Sequence, residues 1–314
     1  MVLLTDEQRP LYFLSGGAVM FGRRKRTRQE SVYEQPVGTP PSPTVHRSVQ
    51  ELCTLSYTET GNRQYQQDAV YVSGSRILAS NKVTRVLGVV CDGMGGMADG
   101  GKASQTAIQM MIQGFRQIEK LPNVDIPAFF RQGIRAMDQT IHDFPTENGK
   151  GSGTTMVAVI VEDRKWYWAS VGDSRIYFIR GKNMWQVTRD HNYWLRLQEM
   201  VAAGQITQEE AAGHRQKEAL ISFLGIGNVS LMDIGVQPGE LQTGDTIMLC
   251  SDGITKTLPD DQIRRILTDD IVSMEEKAKT LVRAAVTNNT HSQDNTSVAM
   301  IQYRDVEMRR GTRN

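Results

Sequence analysis

Residues 86–96 read Val-Leu-Gly-Val-Val-Cys-Asp-Gly-Met-Gly-Gly. The first six are apolar or small and rich in β-branched side chains, which suits a short strand buried on both faces. The run breaks on Asp92-Gly93, so an acidic side chain is delivered at the strand tip. Glycine after it lets backbone and solvent come close.

The same pattern recurs along the chain. Short apolar runs at 156–161, 166–171, 176–179, 246–250 and 298–303 also read as buried strands. Three of them lie between 156 and 179 with only short turns between, which predicts an antiparallel meander. Between the runs lie amphipathic helices. Ile108, Met111, Phe115 and Ile118 form one apolar stripe; Phe130, Ile134, Met137 and Ile141 form a second; Ala278, Leu281, Val282 and Ala285 form a third. Met110 and Met111 are therefore core candidates. Helices packing by one face onto a β core make an α+β domain, predicted over 49–305.

Residues 1–48 differ in kind. They carry Gly16-Gly17, the basic residues Arg23, Arg24, Lys25, Arg26 and Arg28, then Pro36, Pro40, Pro41 and Pro43. This reads as a flexible tail with a Pro-rich linker, its basic run able to touch an anionic surface weakly. Residues 306–314 are expected to be a short C-terminal tail.

The chain of 314 residues is long enough to bury a core without covalent staples. A net charge of +1 argues against nucleic acid as the main partner. Three cysteines, Cys53, Cys91 and Cys250, make no disulfide framework and point to a reducing, cytoplasmic setting. No apolar run approaches the ~20 residues that span a bilayer.

The strand tips carry the chemistry. Asp92-Gly93, Asp252-Gly253 and Asp173 follow apolar runs, and Asp294 opens the last one. Asp68 lies shortly after Arg63. A single Asp-Gly pair is as readily a turn. Several acids at strand ends instead make a set of hard oxygen ligands, which selects Mg²⁺ or Mn²⁺. No Cys-x-x-Cys or His-Glu-x-x-His pattern offers a zinc site.

Seven segments together resemble, in order, the protein phosphatase 2C family of metal-dependent Ser/Thr phosphatases, bacterial type. They are GNRQYQQDA at 61–69, VCDGMGG at 90–96, GSGTT at 151–155, VGDSRIYFIR at 171–180, VTRDH at 187–191, LCSDG at 249–253 and QDNTSV at 293–298. The resemblance implies a four-layer α-β-β-α sandwich of two mostly antiparallel sheets flanked by helices. It implies two, and up to three, Mn²⁺ or Mg²⁺ ions. Asp92 would bridge two metals, with the Gly93 carbonyl also bound, and Asp252 and Asp294 would complete the first metal site. Asp173 would serve a third. Arg63 would grip the substrate phosphate through its guanidinium fork, and Asp68 would position water from behind the ligands. The implied reaction is direct attack on phosphorus by a hydroxide bridging two metals, with no phosphoenzyme. The implied substrates are phosphoproteins made by a cognate Ser/Thr kinase, and the chain is expected to act as a monomer.

Two positions depart from the family pattern. Gln67 stands where relatives carry glutamate; it keeps a carbonyl ligand but loses the charge, which predicts a weaker second metal site. Met94 stands where some relatives carry a histidine. Gln67 is also the feature that favours an alternative, a catalytically weakened pseudophosphatase that binds phosphoproteins. A hydrolase of small phosphates is a third reading. His191 is expected to be structural, and Cys91 and Cys250 to be buried strand residues. Residues 191–240 are expected to form a flap-like insert near the metals, helical over 206–213.

Overall fold

The computed structural model of the chain describes residues 48–78, 82–95, 99–145, 151–288 and 291–307. The expected N-terminal tail lies outside the described residues except Ser48, and the expected C-terminal tail is described only to Glu307.

In chain order the first elements are β1 (Ser48–Glu59), β2 (Asp68–Val72), β3 (Arg76–Ile77) and β4 (Arg85–Met94), then α1 (Asp99–Ile118) and α2 (Ile126–His142). Five strands follow: β5 (Gly153–Thr154), β6 (Met156–Glu162), β7 (Lys165–Val171), β8 (Arg175–Arg180) and β9 (Asn183–Gln186). The insert carries α3 (Tyr193–Ala202) and α4 (Gln208–Gly213). The chain then runs through β10 (Asp233–Ile234), β11 (Gly239–Glu240), β12 (Thr246–Cys250), α5 (Asp252–Thr255), α6 (Asp260–Leu267), α7 (Met274–Asn288) and β13 (Thr296–Glu307).

The strands form two antiparallel sheets, one ordered β3-β1-β13-β12-β8-β9 and the other β10-β7-β6-β4-β2, with β11 on β7 and β5 on β4. Side-chain alternation explains why the strands read as unbroken apolar runs: both faces of each are covered. Leu87, Val89 and Cys91 of β4 face α1 and α2, with Ile108, Met111, Phe115, Phe130, Ile134 and Ile141 opposite. Val86 and Val90 face the other sheet, meeting Ile247, Leu249, Ala299 and Ile301. The outer face of that sheet, with Met248, Cys250, Val298 and Met300, is covered by Ile263, Leu267, Leu281, Val282 and Ala285 of α6 and α7. The implied four layers are thus observed. Each fully buried Val, Ile or Leu contributes about 1.5–3 kcal/mol, so these three cores carry the fold. Arg85 is buried too. Its Nη1 donates to the carbonyls of Ile118 and Leu121 at 2.7 and 2.6 Å, closing the C-terminal end of α1 with positive charge.

One expectation fails in part. β6 and β7 form the predicted hairpin, but β8 does not join them; it pairs with β12 and β9 in the other sheet. The chain changes sheets at Gly172-Asp173-Ser174. Gly172 has φ +102, which favours glycine, and a Cβ there would stand 2.7 Å from Thr155. Apolar periodicity reports burial, not which sheet a strand joins, so the crossing was invisible in the run pattern. β13 also extends well beyond 298–303, pairing with all of β1 from Ser48↔Glu307 to Glu59↔Thr296.

Candidate active site

Strand parity carries Asp92 to the space between the sheets. In β4 the even positions 86 and 90 face the inter-sheet core, and Asp92 continues that row past its apolar end. From the opposite sheet, β12 ends at Cys250 and α5 opens at Asp252, while Asp294 precedes β13. The sheet crossing supplies Asp173. These residues line one cavity of about 540 Å³ together with Arg63, Gln67, Gly93, Met94 and Lys256. Asp68 lies beneath it on β2, directly across from Asp92 in the ladder. All the predicted site residues are thereby brought together, although they span positions 63 to 294 of the chain.

The supports are specific. The Asp92 carbonyl accepts from Thr155 N at 2.9 Å and Thr154 Oγ1 at 2.9 Å, and Asp92 N donates to Thr155 Oγ1 at 3.0 Å. The GSGTT segment therefore braces Asp92. Thr155 Oγ1 also shares a 2.7 Å hydrogen bond with Ser174 Oγ, beyond the crossing. Asn295 Oδ1 accepts from Gln67 N at 2.7 Å, and its Nδ2 donates to the carbonyls of Thr60 and Tyr65 at 2.8 and 3.1 Å. This fastens the loop bearing Arg63 and Gln67 beside Asp294. Gly93 is tolerated only as glycine, because a Cβ would meet the Gly100 carbonyl oxygen at 2.1 Å.

His191 is fully buried and structural, as expected. Its Nδ1 accepts from Gly172 N at 3.2 Å, which leaves the proton on Nε2, 3.1 Å from Asp233 Oδ2. It holds the crossing turn that presents Asp173. Burial disfavours the Asp233 carboxylate, but hydrogen bonds from His191 and Arg189 hold its pKa down at about 2. Cys91 and Cys250 are free and buried, and burial pushes the Cys250 thiol up to about 12. Neither can act as a nucleophile here.

Two supporting residues escaped sequence reasoning. Asp138, buried on α2, accepts from Gly225 N at 2.8 Å, Gly227 N at 3.2 Å and Val229 N at 2.8 Å. It ties down the insert, whose Glu218, Leu220 and Phe223 form one wall of the cavity. Within the insert α4 (Gln208–Gly213) answers to the helix expected at 206–213. Lys256 is the second: its Nζ pairs with Asp252 Oδ2 and lies 4.0 Å from Asp173 Oδ2. The signal available was its i+4 spacing from Asp252.

The electrostatics ask for positive charge. Burial raises Asp92 well above the ordinary carboxyl range, and Asp68, Asp252 and Asp173 add repulsion. Burial likewise lifts Asp68 to about 7 and, with repulsion from Asp252, Asp173 to about 6. Asp68 Oδ1 and Asp252 Oδ1 are buried with no hydrogen-bond partner. Among the described residues two cations pair with these acids: Lys256, and Arg63, whose Nη2 meets Asp294 Oδ2 at 2.7 Å. Among the described residues no three acidic, histidine or cysteine side chains form a ready-made ligand set. Lys256 and Arg63 occupy carboxylate oxygens that such a set would use. The charge deficit and the orphaned oxygens are nevertheless what hard divalent cations satisfy, so the residues fit such ions.

Comparison with known proteins agrees. Residues 59–290 match the family model described as Protein phosphatase 2C. The chain is 32% identical over 226 residues to Protein phosphatase PhpP of Streptococcus pneumoniae, covering 72% of this chain and 89% of that one. It superposes on the S. agalactiae serine/threonine phosphatase with a TM-score of 0.68 at 28% identity, covering 80% of this chain and 99% of that one. The catalytic domain of the phosphatase PstP, solved in complex with two manganese ions, gives a TM-score of 0.63 at 27% identity, with coverages of 82% and 100%.

Proposed function

From the premise that this chain belongs to the protein phosphatase 2C family and is a protein-serine/threonine phosphatase, we propose that the cavity between its sheets is the hydrolytic centre. The observation that carries this is the buried group of aspartates, held close at the cost of mutual repulsion and lacking enough cations to balance it.

In this reading Asp92, Asp252, Asp294, the Gly93 carbonyl and Gln67 hold divalent metal, Mn²⁺ or Mg²⁺, and Asp173 faces the same space. When bound, such ions supply Lewis acidity, bringing water toward neutral pKa and neutralising phosphoryl oxygens. The chain's own residues do the rest. Arg63 sits at the mouth, its side chain about half exposed, and is poised to leave Asp294 for two oxygens of a phosphate. Asp68 accepts from Ser251 Oγ at 2.7 Å through Oδ2, which fixes the carboxylate, and its partnerless Oδ1 is available to orient water from behind Asp92. In this reading water attacks phosphorus directly, without a covalent intermediate. The insert wall of Glu218, Leu220 and Phe223 offers contacts to residues flanking a phosphoserine or phosphothreonine. The substrates in this reading are phosphoproteins produced by a partner kinase.

Hydrolysis of p-nitrophenyl phosphate and of a phosphothreonine peptide, with Mn²⁺ and with EDTA, tests the reading. Activity is expected to need the metal and to fall to background in Asp92→Ala and Asp252→Asn. Absent turnover at millimolar Mn²⁺, with phosphopeptide binding kept, would overturn it in favour of a phosphoprotein-binding module, to which Gln67 points.

A further inference from the structure

Lys256 follows Asp252 by one helical turn and directs its ammonium into the cavity. Nζ is ion-paired with Asp252 Oδ2 and stands 4.0 Å from Asp173 Oδ2. The two carboxylates are nearly buried, their side chains 11% and 9% exposed, while the lysine side chain is 55% exposed. The lysine thus reaches a nearly buried acidic pair while much of its own side chain stays exposed. The aspartates come from different parts of the fold: Asp252 opens α5, and Asp173 sits on the sheet crossing, pinned by Gly172, Thr155 and His191. Rigid backbone thus holds two like charges side by side, and the ammonium lies against both. The other cations nearby are committed elsewhere. Arg175 is paired with Asp190 at 2.9 and 2.7 Å, and Arg63 with Asp294.

We propose that Lys256 is a built-in cation of the site, occupying the place between Asp173 and Asp252 so that this chain binds one divalent ion fewer than its carboxylates allow. The inference rests on the reading of the cavity as a metal centre. Its physical basis is competition. A tethered ammonium faces these two oxygens at every metal concentration, and a divalent ion entering between them must displace it or sit beside a like charge. Asp92 carries no such lysine, and Asp294 is paired instead with Arg63, which in this reading leaves it for the substrate phosphate. This chain would then keep positive charge at the Asp173 side when metal is scarce.

The test counts metal rather than turnover. The full chain is stripped with EDTA, desalted and titrated with Mn²⁺, free ion being read by electron paramagnetic resonance and heats by calorimetry. Lys256→Met and Lys256→Gln are expected to bind one more Mn²⁺ per chain than the wild type, the added site at least about tenfold tighter than any residual wild-type binding there. Lys256→Arg, which keeps the charge, is expected to retain the wild-type count. Adding Asp173→Asn to Lys256→Met is expected to abolish the extra ion. Melting curves in EDTA establish that each variant is folded. Equal counts and affinities in wild type and both neutral variants would overturn the inference while leaving the metal centre standing. Failure of every protein, wild type included, to bind Mn²⁺ would overturn both.

Discussion

Asp173→Asn should stabilise the metal-free protein, although it removes an ion-pairing group. Asp173 is nearly buried, and burial together with Asp252 raises its pKa from 3.8 to about 6 against the pull of Lys256. Holding that carboxylate ionised in the fold therefore costs about 3 kcal/mol, an order-of-magnitude upper bound. Asparagine has the same shape and no charge, so it relieves most of that cost. The folded-state pKa lies above the unfolded value, which makes the penalty full well above pH 6. It shrinks as pH falls through about 6, because the folded chain takes up the proton first, and it is gone near pH 4. Thermal melts of wild type and variant in EDTA at pH 8 and pH 5 read the difference. For a domain of this size we expect the variant to melt about 2–6 °C higher at pH 8, with the gap about halved at pH 5. A variant no more stable than wild type at pH 8, or equally favoured at both pH values, would refute the charge argument.

Asp138→Ala leaves the amides of Gly225, Gly227 and Val229 without their acceptor, a loss of roughly 3–5 kcal/mol on the scale of unsatisfied buried donors. It should lower the melting temperature and raise KM for phosphopeptide more than it lowers kcat, because the insert wall loosens while the aspartates stay; an unchanged melting curve would count against that role. Gln67→Glu restores a negative charge to the cavity edge and should lower the Mn²⁺ concentration for half-maximal activity by roughly tenfold. An unaltered Mn²⁺ dependence would mean that Gln67 does not limit metal binding.

Much of this site is legible in the chain because its chemistry is local. An apolar run ending in Asp-Gly announces both a buried strand and an acid at its tip, and this identified Asp92 and Asp252. The stripes on α1, α2 and α7 are likewise a property of one helix at a time. Asp138 and Lys256 were not legible, because each acts through partners distant from it in sequence or, for Lys256, through a second contact with Asp173. An isolated aspartate in an amphipathic helix looks solvated until the loop at 225–229 is seen resting on it. The motif at 151–155 was recognised as a pattern without a role; the role, bracing Asp92 and backing Gly172, exists only once β4, β5 and the crossing turn are adjacent.

By itself the amino-acid order determined which segments are buried strands and helices and which strand tips carry hard oxygen ligands. Those follow from side-chain period and from the neighbours of each residue. Tertiary structure alone decided that β8 leaves its hairpin for the other sheet, that Asp68, Asp92, Asp173, Asp252 and Asp294 gather at one cavity, and that Lys256 and Arg63 share out the charge there. The physical reason is that Coulomb repulsion and desolvation depend on separation in space, and residues from 63 to 294 acquire that separation only when the two sheets pack.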